Sequence, residues 1–396
     1  MRPEFWKRSV KSKFWFCPHI CLLGFLIVST ACTTVKIATT PLKEAPEFSF
    51  SLTAYKAGEL DENCKAILQT AKNSGFSAVS LVPSRVFSQN KISALGVSSG
   101  REIETCLQNA WEDGLDIIYQ PHVESEDIID KTKPNVWRAY FDFTPDENYF
   151  QLMFAPFLNW LSIHRDEIKK EHRFVAVVVA AELELSTTKY SGQWVKLVSH
   201  LKSKLQDMDL KDKVKIGFNP NSTPKDYFRS VDNSCSDFVE FVKGLDFVAP
   251  SIYGDWSKIY ENRSRRGADQ IEEKVQTTIK ALSFRNLNKC YVSYFRQIPL
   301  FIGEFGVGGD FNHASKVSGE GMRSKKYTET RRDLYANLID WAKSQKNENE
   351  FNTQVINIWT NDFFDPVGIG HDPRTQADDR ITKFFVDYRN WLANLR

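Results

Sequence analysis

The feature that most constrains the fold is a repeated alternation of short apolar runs with longer amphipathic stretches, from Phe48 to the C-terminus. The short runs have the length of β-strands, and the stretches between them carry apolar residues at helical spacing. Strands that alternate with helices form parallel sheets, because a parallel neighbour is reached only through a crossover connection. Residues 174–181 are apolar throughout, which is typical of a strand buried on both faces.

Eight such units follow one another without a linker. We place the strands at residues 48–55, 78–83, 116–122, 174–181, 213–219, 247–253, 299–304 and 354–359. Helical patterns between them include residues 61–74, 101–113 and 271–283, and glycine follows the first two, as is usual after a helix end. The pattern predicts an α/β fold, a single closed (β/α)8 TIM barrel rather than an open sheet. In that fold the functional side chains lie at the C-terminal ends of the strands.

The first 31 residues have the composition of an export signal. Residues 1–13 contain five basic residues and one acidic residue, residues 14–28 are apolar apart from Pro18 and His19, and Ser29-Thr30-Ala31 supplies small residues for cleavage. The apolar stretch is too short for a confident membrane-spanning helix. The sequence therefore predicts a signal peptide at residues 1–31.

The end of this segment resembles the bacterial lipobox, whose cysteine becomes a lipid-modified N-terminus. The matching residues are Val28-Ser29-Thr30-Ala31-Cys32, with Ser29 where the pattern prefers Leu. We predict lipidation at Cys32, a tether over residues 32–46 and one domain over residues 47–396. Thr33 after the cysteine favours the outer membrane, facing the periplasm or the cell surface. The alternative is an ordinary signal or an uncleaved anchor, with Cys32 incidental.

The charge balance argues against nucleic acid as a partner. The chain has 52 Lys and Arg against 50 Asp and Glu. Without the export segment, 47 basic and 49 acidic residues remain, a net charge of −2. A nearly neutral body lacks the basic patch that nucleic acid requires. With 42% hydrophobic residues and 29 Phe, the chain has enough apolar surface for a large core, which excludes a disordered or fibrous protein.

The cysteines give no metal or redox motif. Beyond the export segment lie Cys64, Cys106, Cys235 and Cys290, with no CxxC pair and no histidines at ligand spacing. One disulfide suits an oxidising compartment, but the spacing does not say which cysteines pair. We expect no metal and no cofactor.

Polar, acidic and aromatic side chains follow the predicted strands. They are Tyr55, Arg85, His122 with Glu124, Glu182 with Glu184, Asn219 with Asn221, Tyr253 with Asp255 and Trp256, Glu304, and Trp359 with Asn361 and Asp362. Glycoside hydrolysis needs one carboxyl group to protonate the leaving oxygen and another to attack the anomeric carbon, and aromatic rings pack on sugar faces. The strand ends therefore favour a glycoside hydrolase.

Short motifs at these positions resemble clan A of the glycoside hydrolases and are most similar to family 113, whose described activity is on β-1,4-mannan. They are VSLVP at residues 79–83, QPHV at 120–123, Trp137-Arg138, Ala181-Glu182-Leu183, Ile252-Tyr253 and Gly303-Glu304-Phe305-Gly306. The resemblance implies a retaining enzyme for β-linked polysaccharide or oligosaccharide, with Glu182 as acid/base and Glu304 as nucleophile. We expect a monomer, and we expect the charge of Glu304 to keep Glu182 protonated.

Seven further side chains are predicted to bind substrate, namely His122, Trp137, Arg138, Asn219, Tyr253, Trp256 and Trp359. Tyr253 is expected to hold the nucleophile through its hydroxyl, and Trp359 to carry a sugar ring. Each has a structural alternative: His122 as an orienting hydrogen-bond partner, Trp359 as barrel packing, and Arg138 as a solvated loop residue.

The two glutamates also have alternatives. Glu304 lies between glycines and is compatible with a turn residue that accepts backbone amides. Glu184 faces the same side as Glu182 if the strand continues. Many clan A enzymes carry Asn before the acid/base, where it meets the substrate 2-hydroxyl, whereas this chain has Ala181. That contact is therefore unassigned.

Two other functions compete with this prediction. Residues 96–100 match the G-x-S-x-G nucleophile elbow, but polar residues precede them where a buried strand is needed, and a helix start at Gly100 explains the serines as caps. A glycan-binding lipoprotein that keeps the barrel but turns nothing over is the stronger alternative. Ala181 favours it weakly, and the intact glutamate pair argues against it.

Overall fold

A computed structural model describes residues 45–54, 57–94, 97–130, 132–133, 136–221, 235–254, 267–283, 298–307, 325–348, 351–359 and 378–395. The predicted signal peptide, most of the tether, Cys32 and Trp256 lie outside these residues. So do Tyr55, Asp255, Asn361 and Asp362. Those assignments, and the predicted domain boundaries, stay predictions.

Parallel strands close into a barrel. The strands are β1 (Glu47–Ala54), β2 (Ala78–Ser88), β3 (Lys91–Ser93), β4 (Asp116–Tyr119), β5 (His122–Ser125), β6 (Val175–Ala181), β7 (Val214–Asn219), β8 (Phe247–Val248), β9 (Ser251–Gly254), β10 (Leu300–Val307) and β11 (Thr353–Ile358). The barrel order is β1, β2, β4, β6, β7, β8, β10 and β11, and β11 pairs with β1 to close the ring. The predicted (β/α)8 barrel is confirmed.

Helices follow the strands along the chain. They are α1 (Glu59–Asn73), α2 (Gly100–Glu112), α3 (Glu147–Lys170), α4 (Glu184–Lys189), α5 (Ser191–Asp207), α6 (Cys235–Lys243), α7 (Gly267–Ser283), α8 (Lys325–Glu348) and α9 (Asp379–Ala393). Short 3-10 turns at Glu126–Ile128 and Arg138–Tyr140 lie between β5 and α3. Among the described residues, no helix has both the length and the apolar character needed to span a membrane.

Two of the predicted strands are each interrupted at a proline. The third strand position is split into β4 and β5 at Gln120-Pro121, and the sixth into β8 and β9 at Ala249-Pro250. Proline has no N–H to donate to a strand ladder, so it breaks the pairing there. Both pieces keep parallel partners, because β5 continues along β2 and β9 along β10. The predicted strand positions therefore hold, with shorter segments.

The barrel interior changes from apolar to polar along its axis. Its apolar part consists of Ile118, Ala176, Val178, Ala181, Phe247, Ala249, Phe301 and Val355. Next to Glu304, the Asn357 amide donates to the Gly303 carbonyl oxygen at 2.7 Å and to the Ser51 hydroxyl at 2.9 Å. Polar groups with hydrogen-bond partners therefore lie directly beside the strand ends where the site is expected.

A disulfide joins the first two helices. Cys64 of α1 and Cys106 of α2 are bonded, and both side chains are buried. This identifies a pair that the sequence left open.

The serine-rich segment before α2 is a helix cap. The Ser99 hydroxyl accepts the backbone N–H of Glu102 at 3.2 Å, and the Glu102 carboxylate accepts the backbone N–H of Ser99. This reciprocal pair is a capping box. Ser98 is buried, and its carbonyl oxygen accepts from Arg85 at 3.0 Å. The expected capping role is therefore observed, and Arg85 supports this segment.

Candidate active site

Glu304 lies in the C-terminal half of β10 and is 2% exposed. The Tyr253 hydroxyl donates to its Oε2 at 2.8 Å, the contact that the sequence analysis predicts. The Gln120 amide donates to Oε1 at 3.3 Å, and His122 Nε2 lies 3.5 Å from the same oxygen. Glu304 also pairs with Ser251 in the sheet ladder. It is therefore a strand residue with side-chain partners, and not a turn residue.

A glycine before Glu304 allows a close packing contact. A Cβ at Gly303 would lie 2.2 Å from Asn219 Nδ2 and 2.3 Å from the Ala249 carbonyl oxygen. Asn219 is fully buried, and its Oδ1 accepts from the Ser251 hydroxyl at 3.2 Å. The structure thus places Asn219 against the backbone of β10, where it supports Glu304. Its predicted contact with substrate stays a prediction.

Glu182 follows the last residue of β6 in a left-handed backbone conformation, with φ of 53°. Such a conformation costs a residue other than glycine roughly 1–2 kcal/mol, and strain of this kind is concentrated at functional sites. The Glu182 N–H donates to the Asn219 carbonyl oxygen at 2.7 Å, which fixes the turn. The strand therefore stops at Ala181, and the alternation that would align Glu184 with Glu182 does not continue.

Glu184 has a different environment from Glu182. It is the first residue of α4, it is 1% exposed, and its carboxylate accepts the backbone N–H of Asn221. The side chain of Asn221 in turn donates to Glu182 Oε1 at 2.6 Å. Glu184 therefore holds the loop that supplies one of the donors to Glu182.

Three donors hold the Glu182 carboxylate. Besides Asn221 on Oε1, Oε2 accepts from Trp137 Nε1 at 3.3 Å and from Arg138 Nε at 3.2 Å. Trp137 and Arg138 lie at the 3-10 turn after β5, far from Glu182 in sequence. The structure brings both predicted residues to the acid/base candidate, and Arg138 forms an ion pair with it.

Arg138 also contacts two residues of β5. Its Nη1 bonds the Glu124 carboxylate and lies 2.7 Å from His122 Nδ1. A guanidinium only donates, so His122 Nδ1 accepts from Arg138, while His122 Nε2 lies 3.2 Å from the Gln120 amide nitrogen and 3.5 Å from Glu304 Oε1. Burial, followed by the charge of Arg138, lowers the pKa of His122, so the ring is neutral at physiological pH. His122 thus connects the surroundings of the two glutamates.

Trp359 packs on the imidazole of His122. The ring centroids are 5.6 Å apart and the planes differ by 12°. The indole is 5% exposed. This is the packing alternative for Trp359, and its role as a sugar platform stays a prediction.

Burial, followed by the charge of Glu182, raises the pKa of Glu304 well above its ordinary value. For Glu124, burial acts in the same direction, but the charge of Arg138 and its hydrogen bond act against burial, and the pKa is lowered. Arg138, bonded to Glu182 and Glu124, is a cation beside these carboxyl groups and opposes the rise in the pKa of Glu304. The expectation that the charge of Glu304 keeps Glu182 protonated stays a prediction, and the sequence did not show that Arg138 reaches Glu182.

Sequence reasoning gave no role to Gln120, Glu124 or Asn221, which supply direct contacts in the site. Two of them, Glu124 and Asn221, lie at strand ends beside residues that were assigned a role. Their place at a strand end is the sequence signal that could have identified them. Gln120 lies within a matched motif and immediately before the proline that interrupts its strand. Across the described part of the chain, no group of three or more His, Cys, Asp or Glu is arranged to hold a metal ion.

Comparison with solved structures identifies proteins that have a similar fold. No family model matches the chain, and no curated protein matches it in sequence. A solved structure of a GH113 β-1,4-mannanase is 14% identical, with a TM-score of 0.50, over 88% of this chain and 99% of the other. The GH113 β-mannanase of Alicyclobacillus acidocaldarius, in complex with ManMIm, is 13% identical, with a TM-score of 0.50, over 90% and 99%. The resemblance to family 113 is thus confirmed at the level of the (β/α)8 fold.

Proposed function

We propose that this protein is a retaining glycoside hydrolase for β-linked polysaccharide or oligosaccharide, with β-1,4-mannan as the first candidate. The observation that carries the proposal is a pair of buried glutamates at the fourth and seventh strand positions, each held by its own donors. Two carboxyl groups in one site are the machinery of glycoside hydrolysis, and the resemblance to clan A supports the retaining form of it. The similarity in fold to solved GH113 β-mannanases supports the choice of first substrate.

In the proposed first step, Glu182 gives its proton to the glycosidic oxygen while Glu304 attacks the anomeric carbon. The bond between that carbon and the leaving oxygen breaks, and a glycosyl ester forms on Glu304. Hydrogen bonds from Tyr253 and Gln120 orient the attacking carboxylate. In the second step Glu182, now a carboxylate, takes a proton from water, and the water oxygen attacks the same carbon and frees Glu304.

A glycan-binding protein without turnover is the second candidate. The observation that favours it is the ion pair between Arg138 and Glu182, because the carboxyl oxygen that a leaving group would need is bonded to a guanidinium. Ala181 in place of Asn points the same way.

The test is a panel of polysaccharides, mannans first, with release of reducing ends as the readout. Products formed early in the reaction are then examined by NMR for anomeric configuration. We expect cleavage with retention by the wild-type protein and none by Glu304→Gln. Binding without reducing ends across the panel would support the second candidate, and an inverted product would overturn the retaining mechanism.

We also propose that the protein is exported and anchored through a lipid on Cys32. The basic, apolar and small-residue pattern of residues 1–32 supports this location. The buried Cys64–Cys106 disulfide suits an oxidising compartment. Cys32→Ser should release the protein from the membrane fraction or stall its processing, whereas Cys17→Ser, in the same segment, should do neither. Normal processing with an unchanged membrane fraction in Cys32→Ser would contradict the anchor.

A further inference from the structure

The acid/base candidate is surrounded by charged and titratable groups from several elements. The groups that face Glu182 directly or through one partner are Arg138 from the 3-10 turn, Glu124 and His122 from β5, Glu184 from α4, Glu304 from β10 and Tyr253 from β9. Arg138 is the cation of this group, and Glu124 and Glu182 both accept from it.

These contacts conflict with the first step of the proposed reaction. A general acid must carry a proton, yet Glu182 accepts hydrogen bonds on both oxygens, and one donor is a guanidinium. Such bonds stabilise the carboxylate and oppose protonation. An unactivated glycoside therefore reacts only if the hold of Arg138 on Glu182 is relaxed.

Glu124 offers Arg138 another partner without a large movement. The guanidinium is bonded at both ends, with Nε on Glu182 and Nη1 on Glu124. Both side chains are mostly buried, at 12% exposure for Arg138 and 18% for Glu124, so a charge released from one carboxylate needs a counter-ion nearby. Glu124 Oε1 also lies 3.3 Å from His122 Nδ1, so Arg138 Nη1 donates to two neighbouring acceptors of β5.

We propose that Glu124 is a positioning residue that holds Arg138 through Nη1. Arg138 Nε can then release Glu182 when substrate binds. Glu182, once released, takes up the proton that it later delivers to the substrate. This inference rests on the proposed function. The proton that Glu182 takes up can come from Glu304, which has to be a carboxylate when it attacks, and the charge of the site is then unchanged. The proton on Glu182 then goes to the leaving oxygen as the glycosidic bond breaks.

The test compares two substrates with the same sugar, a natural oligosaccharide and a dinitrophenyl glycoside whose leaving group hardly needs a proton. In Glu124→Gln, Arg138 loses the carboxylate on Nη1 and keeps Glu182 on Nε, so acid catalysis should suffer. General acids contribute about 10²- to 10⁴-fold, and we expect a loss of about 10- to 100-fold in kcat/KM on the oligosaccharide. The loss on the dinitrophenyl glycoside should be under about threefold.

The pH profile gives a second readout. In Glu124→Gln the alkaline limb of kcat/KM on the oligosaccharide should move to lower pH, because Arg138 then favours the Glu182 carboxylate more strongly. Glu124→Asp keeps the negative charge. It should recover part of the activity, and its alkaline limb should lie closer to that of the wild type. Glu126→Gln is the matched control, since that neighbouring carboxylate accepts from Ser88, and it should leave both readouts unchanged.

A loss in Glu124→Gln that is equal for both substrates, with an unmoved limb and no recovery in Glu124→Asp, would overturn the proposal and make Glu124 structural. Thermal unfolding of each variant separates this result from misfolding. Absence of turnover by the wild-type protein on both substrates is a different result, which overturns the proposed function and this inference with it.

Discussion

Each end of the barrel brings two carboxyl groups together. At the C-terminal ends of the strands these are Glu182 and Glu304. At the opposite end, Glu47 begins β1 and Asp116 begins β4, and their side chains are hydrogen-bonded. Burial, followed by the charge of Glu47, raises the pKa of Asp116 to about 8, although Arg173 opposes the shift. Both ends therefore hold a carboxyl group whose pKa burial and a neighbouring carboxyl group raise above its ordinary value.

The two pairs differ in what surrounds them. The other partners of the Glu47–Asp116 pair include the backbone N–H of Phe174 at 3.1 Å and the hydroxyl of Ser77 at 2.9 Å. At the C-terminal ends of the strands, a guanidinium donates to Glu182 and a phenol donates to Glu304. Proximity of two carboxyl groups is thus not a catalytic signature by itself. The kind of donor distinguishes the proposed site: a guanidinium bonds one glutamate and a phenol the other, whereas a backbone N–H and a serine hydroxyl bond the second pair.

The largest effect should separate the two ends of the barrel. Glu304→Gln should lower turnover of a cleaved polysaccharide by more than about 10³-fold, because an amide is a poor nucleophile, while thermal unfolding stays close to wild type. Asp116→Asn should leave kcat/KM within about twofold, since the pair lies at the far end of the strands. A similar loss of activity in both variants would show that the comparison has no functional meaning.

The second prediction tests the acid/base position. Glu182→Ala should slow cleavage of a natural glycan by about 10²- to 10⁴-fold but spare formation of the glycosyl-enzyme from an activated aryl glycoside. Added azide should then capture the intermediate with the original anomeric configuration, because an anion needs no general base. Glu184→Ala is the comparator. If azide rescues Glu184→Ala and not Glu182→Ala, the assignment is wrong by two residues.

The fold and the positions of the two glutamates follow from the strand pattern, since the C-terminal ends of parallel strands meet at one edge. The residues that distinguish the site do not follow from it. Arg138 reaches Glu182 from a loop 44 residues away, and Glu47 meets Asp116 at the opposite barrel end. Such contacts depend on loop conformation and side-chain direction, neither of which has a periodic signal in the sequence.

A smaller effect concerns the hydrogen bond to the proposed nucleophile. Tyr253→Phe removes a bond to a group that must be charged to react, worth about 1.5–3 kcal/mol, or roughly 10- to 150-fold in rate. The bond lowers the pKa of Glu304, so its loss should raise that pKa further. The acidic limb of kcat/KM should therefore move to higher pH. An unmoved limb would mean that the hydroxyl does not stabilise the carboxylate.

The smallest effect on activity, and a distinct one on stability, is expected at the Glu47–Asp116 pair. A carboxyl group whose pKa is about 8 in the folded chain and about 3.9 in the unfolded chain binds its proton more tightly when folded. The contribution of this group to the free energy of unfolding is complete below about pH 4, and it is lost as the pH rises through 8. Denaturant unfolding at pH 5 and pH 8.5 should show this loss in the wild type and much less in Asp116→Asn. Asp212→Asn, on the surface, should behave as wild type.

The disulfide has a consequence for when the chain becomes stable. Cys64 and Cys106 are 42 positions apart, and closing a loop of that length constrains the unfolded chain by about 4 kcal/mol in the entropic account. Whole domains are stable by only about 5–15 kcal/mol. If residues 1–31 direct export, this contribution is missing while the thiols are reduced inside the cell and is added only after translocation. Without the bond, the precursor would be easier to keep unfolded for transport than the mature protein. Once the bond has formed after translocation, the folded protein would be harder to unfold.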